Sequence, residues 1–108
     1  MFSILHAERL KQEGNALFHG FNLSYPSYSW IPSEYQYEQA ANKYTQAIDI
    51  LERLDAPSYE QAVLYCNRSF VYSRLENYQK AYEDANHAVS LEPDYVKVFS
   101  FLFSRTHP

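Results

Sequence analysis

Glycine is scarce in this 108-residue chain, which has only Gly14 and Gly20, and cysteine occurs once, at Cys66. A lone thiol closes no internal disulfide. With no histidine near it in sequence, Cys66 reads as a packed thiol in a reducing compartment rather than as a nucleophile. Neither glycine follows a strand pattern, so no phosphate-cradling loop is expected. An excess of positive charge is missing too. The formal net charge is −4, and without a basic patch to neutralise a phosphate backbone a nucleic-acid partner is not expected. No stretch approaches the ~20 apolar residues that span a membrane. The apolar run Met1 to Leu5 is too short for a signal peptide and is followed directly by polar residues from His6. The expectation is a cytoplasmic protein with no membrane association. His6, His19, His87 and His107 are scattered, with no metal-ligand spacing and no cysteine partner for zinc. Glu83 and Asp84 are expected on a solvated helix face rather than in acid–base work. No catalytic residue, metal ligand or cofactor is expected, which leaves recognition as the function class.

What is present is one helical pattern written twice. Tyr37, Ala40, Tyr44 and Ala47 recur as Tyr78, Ala81, Ala85 and Ala88, 41 positions on, while Leu10, Gly14 and Leu17 recur as Tyr65, Ser69 and Tyr72 at an offset of 55. Removing a 14-residue insertion between the first two helices brings both offsets to 41, a 34-residue helix–turn–helix period with a linker seven residues longer. The length suits one domain. The expected fold is all-α: stacked antiparallel helix pairs forming a superhelix of about two and a half repeats and five helices within residues 1–108. Repeat one covers 3–54 with an aromatic insertion over about 19–36, repeat two covers 58–92, and a partial repeat or end helix covers 94–105.

The helices are expected at about Ser3–Phe18, Ser33–Leu54, Ser58–Leu75, Asn77 to near Pro93, and from Asp94 onward. Gly14 sits mid-helix, where glycine costs roughly 1 kcal/mol against alanine, so another backbone should approach closely there. No proline ends the second helix on the 34-residue schedule, so it should run about a turn long. Ser58 and Gln61 have capping-box spacing, and Asn77 is placed to cap the fourth helix, with Tyr78 facing inward beside its alanines. In the fifth helix bulky Phe103 takes the position of Gly14 and Ser69, and Phe99, Leu102 and Phe103 make an apolar end. Stacked repeats usually finish in a polar capping helix. This end therefore implies either a piece or variant of something longer, or a face buried in another molecule.

Lys11 and Asn15 lie one turn apart on the first helix, off its packing face, while Asn67 and Lys97 belong to the third and fifth helices. In a helical-repeat solenoid these hairpin-leading helices line the concave surface. Two ammonium groups and two carboxamides converging there suit a carboxylate or an acidic peptide terminus; if they do not converge, they are ordinary surface residues. The insertion carries Tyr25, Tyr28, Trp30 and Tyr35, either as a partner-binding loop or as aromatics folded back on the second helix.

The segments Leu10–Phe18, Tyr44-Thr45-Gln46-Ala47-Ile48, Tyr65-Cys66-Asn67-Arg68-Ser69 and Leu91–Lys97 resemble the tetratricopeptide repeats of heat-shock co-chaperones. The resemblance covers nearly the whole chain apart from the insertion and the last eight or so residues. In that family a carboxylate clamp holds the acidic C-terminal peptide of the seventy- and ninety-kilodalton heat-shock chaperones. The resemblance implies that Lys11, Asn15, Asn67 and Lys97 match four of five clamp residues. Where the family has an arginine one turn after the second lysine, this chain has Phe101. The loss of one charge-assisted hydrogen bond costs about 1.5–3 kcal/mol, roughly ten- to a hundredfold in affinity. Arg105, a further turn along, is a possible substitute. The reading is an adaptor that binds a chaperone's C-terminal peptide. Its alternatives are a self-associating scaffold joined through Phe99, Leu102 and Phe103 with a vestigial groove, or the docking part of a larger enzyme.

Overall fold

A computed structural model of the chain describes residues 3–19 and 34–94. Over those residues the protein is four α-helices: α1 (Ile4–His19), α2 (Glu34–Arg53), α3 (Ser58–Arg74) and α4 (Tyr78–Leu91). Each packs against its predecessor, so α1–α2 and α3–α4 are two hairpins joined through α2 and α3. Apart from Asp94, the expected fifth helix over 94–105 lies outside the described residues, with Phe99, Leu102 and Phe103 in it, and so do Tyr25, Tyr28 and Trp30 of the insertion. Tyr35, which the expected insertion and the expected second helix both cover, is the second residue of α2 and accepts a hydrogen bond from Gln39 Nε2 one turn on (3.0 Å).

The small residues of the repeated pattern form the packing seams. Ala40, Ala47, Ala81 and Ala88 are fully buried, and Tyr44, Leu64, Val71 and Ser69 are the largest fully enclosed side chains. Leu10 is buried, while Leu17 and Tyr72 pack onto the core from its edge. Gly14 behaves differently from its expectation. A Cβ there would lie 2.8 Å from Tyr44 Cε1, so it is an aromatic ring on α2, not a backbone, that occupies the space glycine leaves. Tyr78 also departs from expectation: as the first residue of α4 it remains largely exposed, and only the alanines of its set turn inward.

The helix ends explain the spacing. α2 is 20 residues against 14 for α4. It stops without a proline, because Asp55 turns left-handed (φ 53°) and Ala56 N–H reaches back to the Leu51 carbonyl (2.9 Å). α3 ends the same way, with Glu76 at φ 60° and Asn77 N–H bonded to the Tyr72 carbonyl (2.9 Å). Both are Schellman-type terminations that satisfy orphan carbonyls. Asn77 then caps α4 by accepting from Lys80 N–H (3.3 Å), in keeping with its position. The capping box at Ser58 does not form. Its hydroxyl instead donates to Glu92 Oε2 (2.6 Å) at the far end of α4, and Gln61 Nε2 donates to the Ala56 carbonyl (2.8 Å). A tertiary acceptor outcompetes the local one because α3 and α4 are antiparallel, which brings the start of one to the end of the other.

Asp84 is the clearest correction. It is buried, not solvated, and takes a two-pronged bond from Arg68, Nε to Oδ2 at 2.7 Å and Nη2 to Oδ1 at 2.8 Å. Arg68 Nη1 also donates to Thr45 Oγ1 (2.9 Å), and its guanidinium lies near the rings of Tyr65 and Tyr72. One side chain thus joins α2, α3 and α4. Beside it Tyr65 donates to Glu52 and stacks on His87 with ring centroids 4.0 Å apart.

Two substitutions test this packing by urea denaturation. Gly14→Ala gains helix propensity but drives a methyl into the enclosed Tyr44 ring, and a net loss of about 1–2 kcal/mol is expected; equal or higher stability would show that the ring yields freely. Asp84→Ala leaves the Arg68 guanidinium without its carboxylate, and a loss of about 3–5 kcal/mol is expected. A loss below about 1 kcal/mol, the scale of a surface pair, would contradict the buried ion pair.

Candidate functional site

Two clefts open along the junction of α1 and α3. In the first, Ile4, Ala7 and Lys11 of α1 face Tyr59 and Val63 of α3 across about 150 Å³, with buried Leu51 of α2 beneath. In the second, Asn15, Phe18 and His19 of α1 face Asn67, Phe70 and Arg74 of α3 across about 310 Å³, with buried Tyr44 of α2 beneath. Residue numbers rise together on both helices, so α1 and α3 run in the same direction and the clefts are successive stretches of one furrow. The helical repeat makes this furrow: each hairpin contributes its leading helix as a wall, and α2 lies beneath.

Of the four residues expected to act together, Asn15 and Asn67 meet directly, with Asn67 Nδ2 3.4 Å from Asn15 Oδ1. Lys11 lies one turn before Asn15 on α1, borders the first cleft, and pairs with Glu8 at 3.2 Å. The Glu8 carboxyl is held below its ordinary value, first by the Gln12 side-chain amide that donates to it and then by Lys11. This pair lies at the surface, the class worth at most about 1 kcal/mol, so an incoming carboxylate can exchange for Glu8 at little cost. Lys97 lies outside the described residues, as do Phe101 and Arg105.

Tyr44 has a role beyond the packing that its place in the repeat implies. Its hydroxyl donates to Asn15 Oδ1 at 2.5 Å, and burial pushes its pKa above the ordinary value, so it remains a donor at neutral pH. A carboxamide has one acceptor atom and two N–H donors. With Oδ1 taken by Tyr44 and Asn67, the Asn15 amide group is turned away from both. Asn67 retains a second N–H. Two carboxamide donors with a lysine one turn away suit a carboxylate better than a cation or a neutral ligand.

The second cleft adds an apolar wall and a cation. Phe18 packs against Tyr37 (centroids 5.8 Å apart) and His19 (5.3 Å), and the Arg74 guanidinium lies 5.8 Å from the Phe18 ring centre. The signal for this wall was in the sequence. Each asparagine is followed three residues later by a phenylalanine, Asn15 by Phe18 and Asn67 by Phe70, and Arg74 falls two turns after Asn67 on the same stripe.

Nothing in the described residues favours chemistry. No group of three or more His, Cys, Asp or Glu among them could hold a metal ion. Burial pushes the Cys66 thiol up to about 11, which keeps it protonated and unreactive at neutral pH. No helix among the described residues is long and apolar enough to cross a membrane.

Comparison with known proteins found several relatives. The chain is 33% identical over 96 residues to the small glutamine-rich tetratricopeptide repeat-containing protein 2 of Saccharomyces cerevisiae, covering 89% of this chain and 22% of that protein. It is 32% identical over 98 residues to heat shock protein STI1 of the same yeast, covering 91% of this chain and 13% of that protein. A small glutamine-rich tetratricopeptide repeat-containing protein of Dictyostelium discoideum matches at 29% over 94 residues, 87% of this chain and 22% of that protein. The chain therefore spans about a fifth or less of the length of these relatives. No family model matches the chain, and no solved structure matches it.

The role of the Tyr44 hydroxyl is open to a conservative test. Tyr44→Phe keeps the ring against Gly14 and removes only the bond to Asn15. Helix content by circular dichroism should be unchanged, and stability in urea should fall by about 0.5–1.5 kcal/mol. No loss would mean that the hydroxyl does not hold Asn15.

Proposed function

Starting from what its paired helices and its relatives make this chain, a tetratricopeptide-repeat domain of the co-chaperone type, we propose that it is a protein-interaction adaptor whose α1/α3 furrow binds the acidic C-terminal peptide of a heat-shock chaperone of the seventy- or ninety-kilodalton class. The observation that carries the reading is the meeting of Asn15 and Asn67, which brings carboxamides from two different hairpins together. A peptide's last residue is recognisable by its extra carboxylate, which accepts several charge-assisted hydrogen bonds at once and has no counterpart inside a chain. Lys11 adds an ammonium on the same helix, and Lys97, which lies outside the described residues, is proposed to add the second. One relative, heat shock protein STI1, is a heat-shock protein by name, in keeping with a chaperone partner. The cytoplasm is the compartment that such a partner and a lone reduced cysteine imply.

The self-associating scaffold finds less support. It depended on Phe99, Leu102 and Phe103, which lie outside the described residues, whereas Lys11, Asn15 and Asn67 line the furrow within them.

The test is a calorimetric titration with a peptide ending in Glu-Glu-Val-Asp, once with a free C-terminus and once amidated. The free acid should bind at least about tenfold more tightly, the equivalent of one charge-assisted hydrogen bond. Lys11→Ala and Asn15→Ala should each remove most of that difference. Equal affinity for the two peptides, or no binding at millimolar concentration, would rule the reading out.

A further inference from the structure

We propose that Arg74 is a specificity residue of the furrow, pairing with an acidic side chain about three residues before the C-terminus of the bound peptide; the inference rests on the peptide-binding reading above. Four observations support it. Lys11, Lys43, Arg53 and Arg68 each have a carboxylate within 3.2 Å, whereas Arg74 forms no salt bridge among the described residues, a state it shares with Arg9 and Lys80, neither of which lines this cleft. It borders the same cleft as Asn15 and Asn67. Its guanidinium lies by the Phe18 ring, and an arginine held against an aromatic ring keeps its N–H edges free for a carboxylate, so the ring restrains the cation without consuming its hydrogen bonds.

The fourth observation is spacing. Arg74 follows Asn67 by seven residues on one helix, a rise of about 10.5 Å at 1.5 Å per residue. An extended peptide advances about 3.3 Å per residue, so a chain whose terminal carboxylate sits at Asn15 and Asn67 and runs along the furrow reaches Arg74 about three residues earlier. In between it passes Phe18 and Phe70, which favours an apolar side chain in that interval. The ligand class is therefore an acidic terminus preceded by an apolar residue and then by an acidic one facing a guanidinium. A carboxylate on this chain at the position of Arg74 would repel the same peptide.

The experiment is a double-mutant cycle on the whole chain. Wild type, Arg74→Ala and Arg74→Lys are titrated with peptides ending in Glu-Glu-Val-Asp and Gln-Glu-Val-Asp, each with a free and an amidated terminus. Arg74 is exposed on α3, so its variants should keep the wild-type circular dichroism. Arg74→Ala should weaken the Glu-Glu-Val-Asp peptide about tenfold and the Gln-Glu-Val-Asp peptide by less than about twofold, with Arg74→Lys in between. If wild type distinguishes free from amidated termini but Arg74→Ala costs both peptides equally, Arg74 has no such role and the peptide-binding reading survives alone. If wild type does not distinguish the termini, or binds neither peptide, both fall together.

Discussion

The contact between Gly14 and the Tyr44 ring sets the geometry on which the rest of this protein depends. A tyrosine is bulky for a helix–helix seam, and it fits here because the facing residue has no side chain. The ring holds α1 and α2 at their spacing while its hydroxyl reaches past the glycine to the next residue, Asn15. Packing and site are thereby joined in one side chain. The enclosed ring fixes where the hydroxyl is, the hydroxyl fixes which way Asn15 faces, and Asn67 from the next hairpin meets the same oxygen.

The second hairpin reaches the same architecture by other means. At the position equivalent to Gly14 it has Ser69, and at that of Tyr44 it has Ala85, both buried. Volume has moved from one helix to the other. With less aromatic bulk in this seam, a polar frame carries more of the cohesion: Arg68 forks onto Asp84 and reaches Thr45, Tyr65 stacks on His87 and bonds Glu52, and Ser58 ties the start of α3 to Glu92. These directional bonds specify register, where alanine seams alone would let helices slide. A set register is what keeps the α1 and α3 residues opposite one another along the furrow.

Part of the candidate site is legible in the amino-acid sequence. Lys11, Asn15 and Asn67 stand out as polar residues off the packing stripe, and their helical spacing assigns them to a face. Arg74, Phe18 and Phe70 follow the same stripe without drawing notice, because an exposed arginine or phenylalanine on a helix is ordinary in isolation. Only the side-by-side course of α1 and α3 turns such residues into the walls of one cleft. The relatives extend well beyond the stretch they share with this chain, so the furrow describes this stretch alone.

By itself the sequence determined the four described helices, their close limits and their pairing, because these follow from local chemistry: a repeated helical period of apolar and small residues, an asparagine cap, and the short links from α2 to α3 and from α3 to α4. It did not determine the partners of polar groups. Asp84 looked solvated and is buried against Arg68, Ser58 looked like a cap and bonds Glu92, and Gly14 looked like a site of backbone contact and receives a ring. Each of those outcomes depends on a residue between 16 and 34 positions away in the chain. Periodicity within one helix carries no information about such a distant neighbour; folding supplies it when the helices stack.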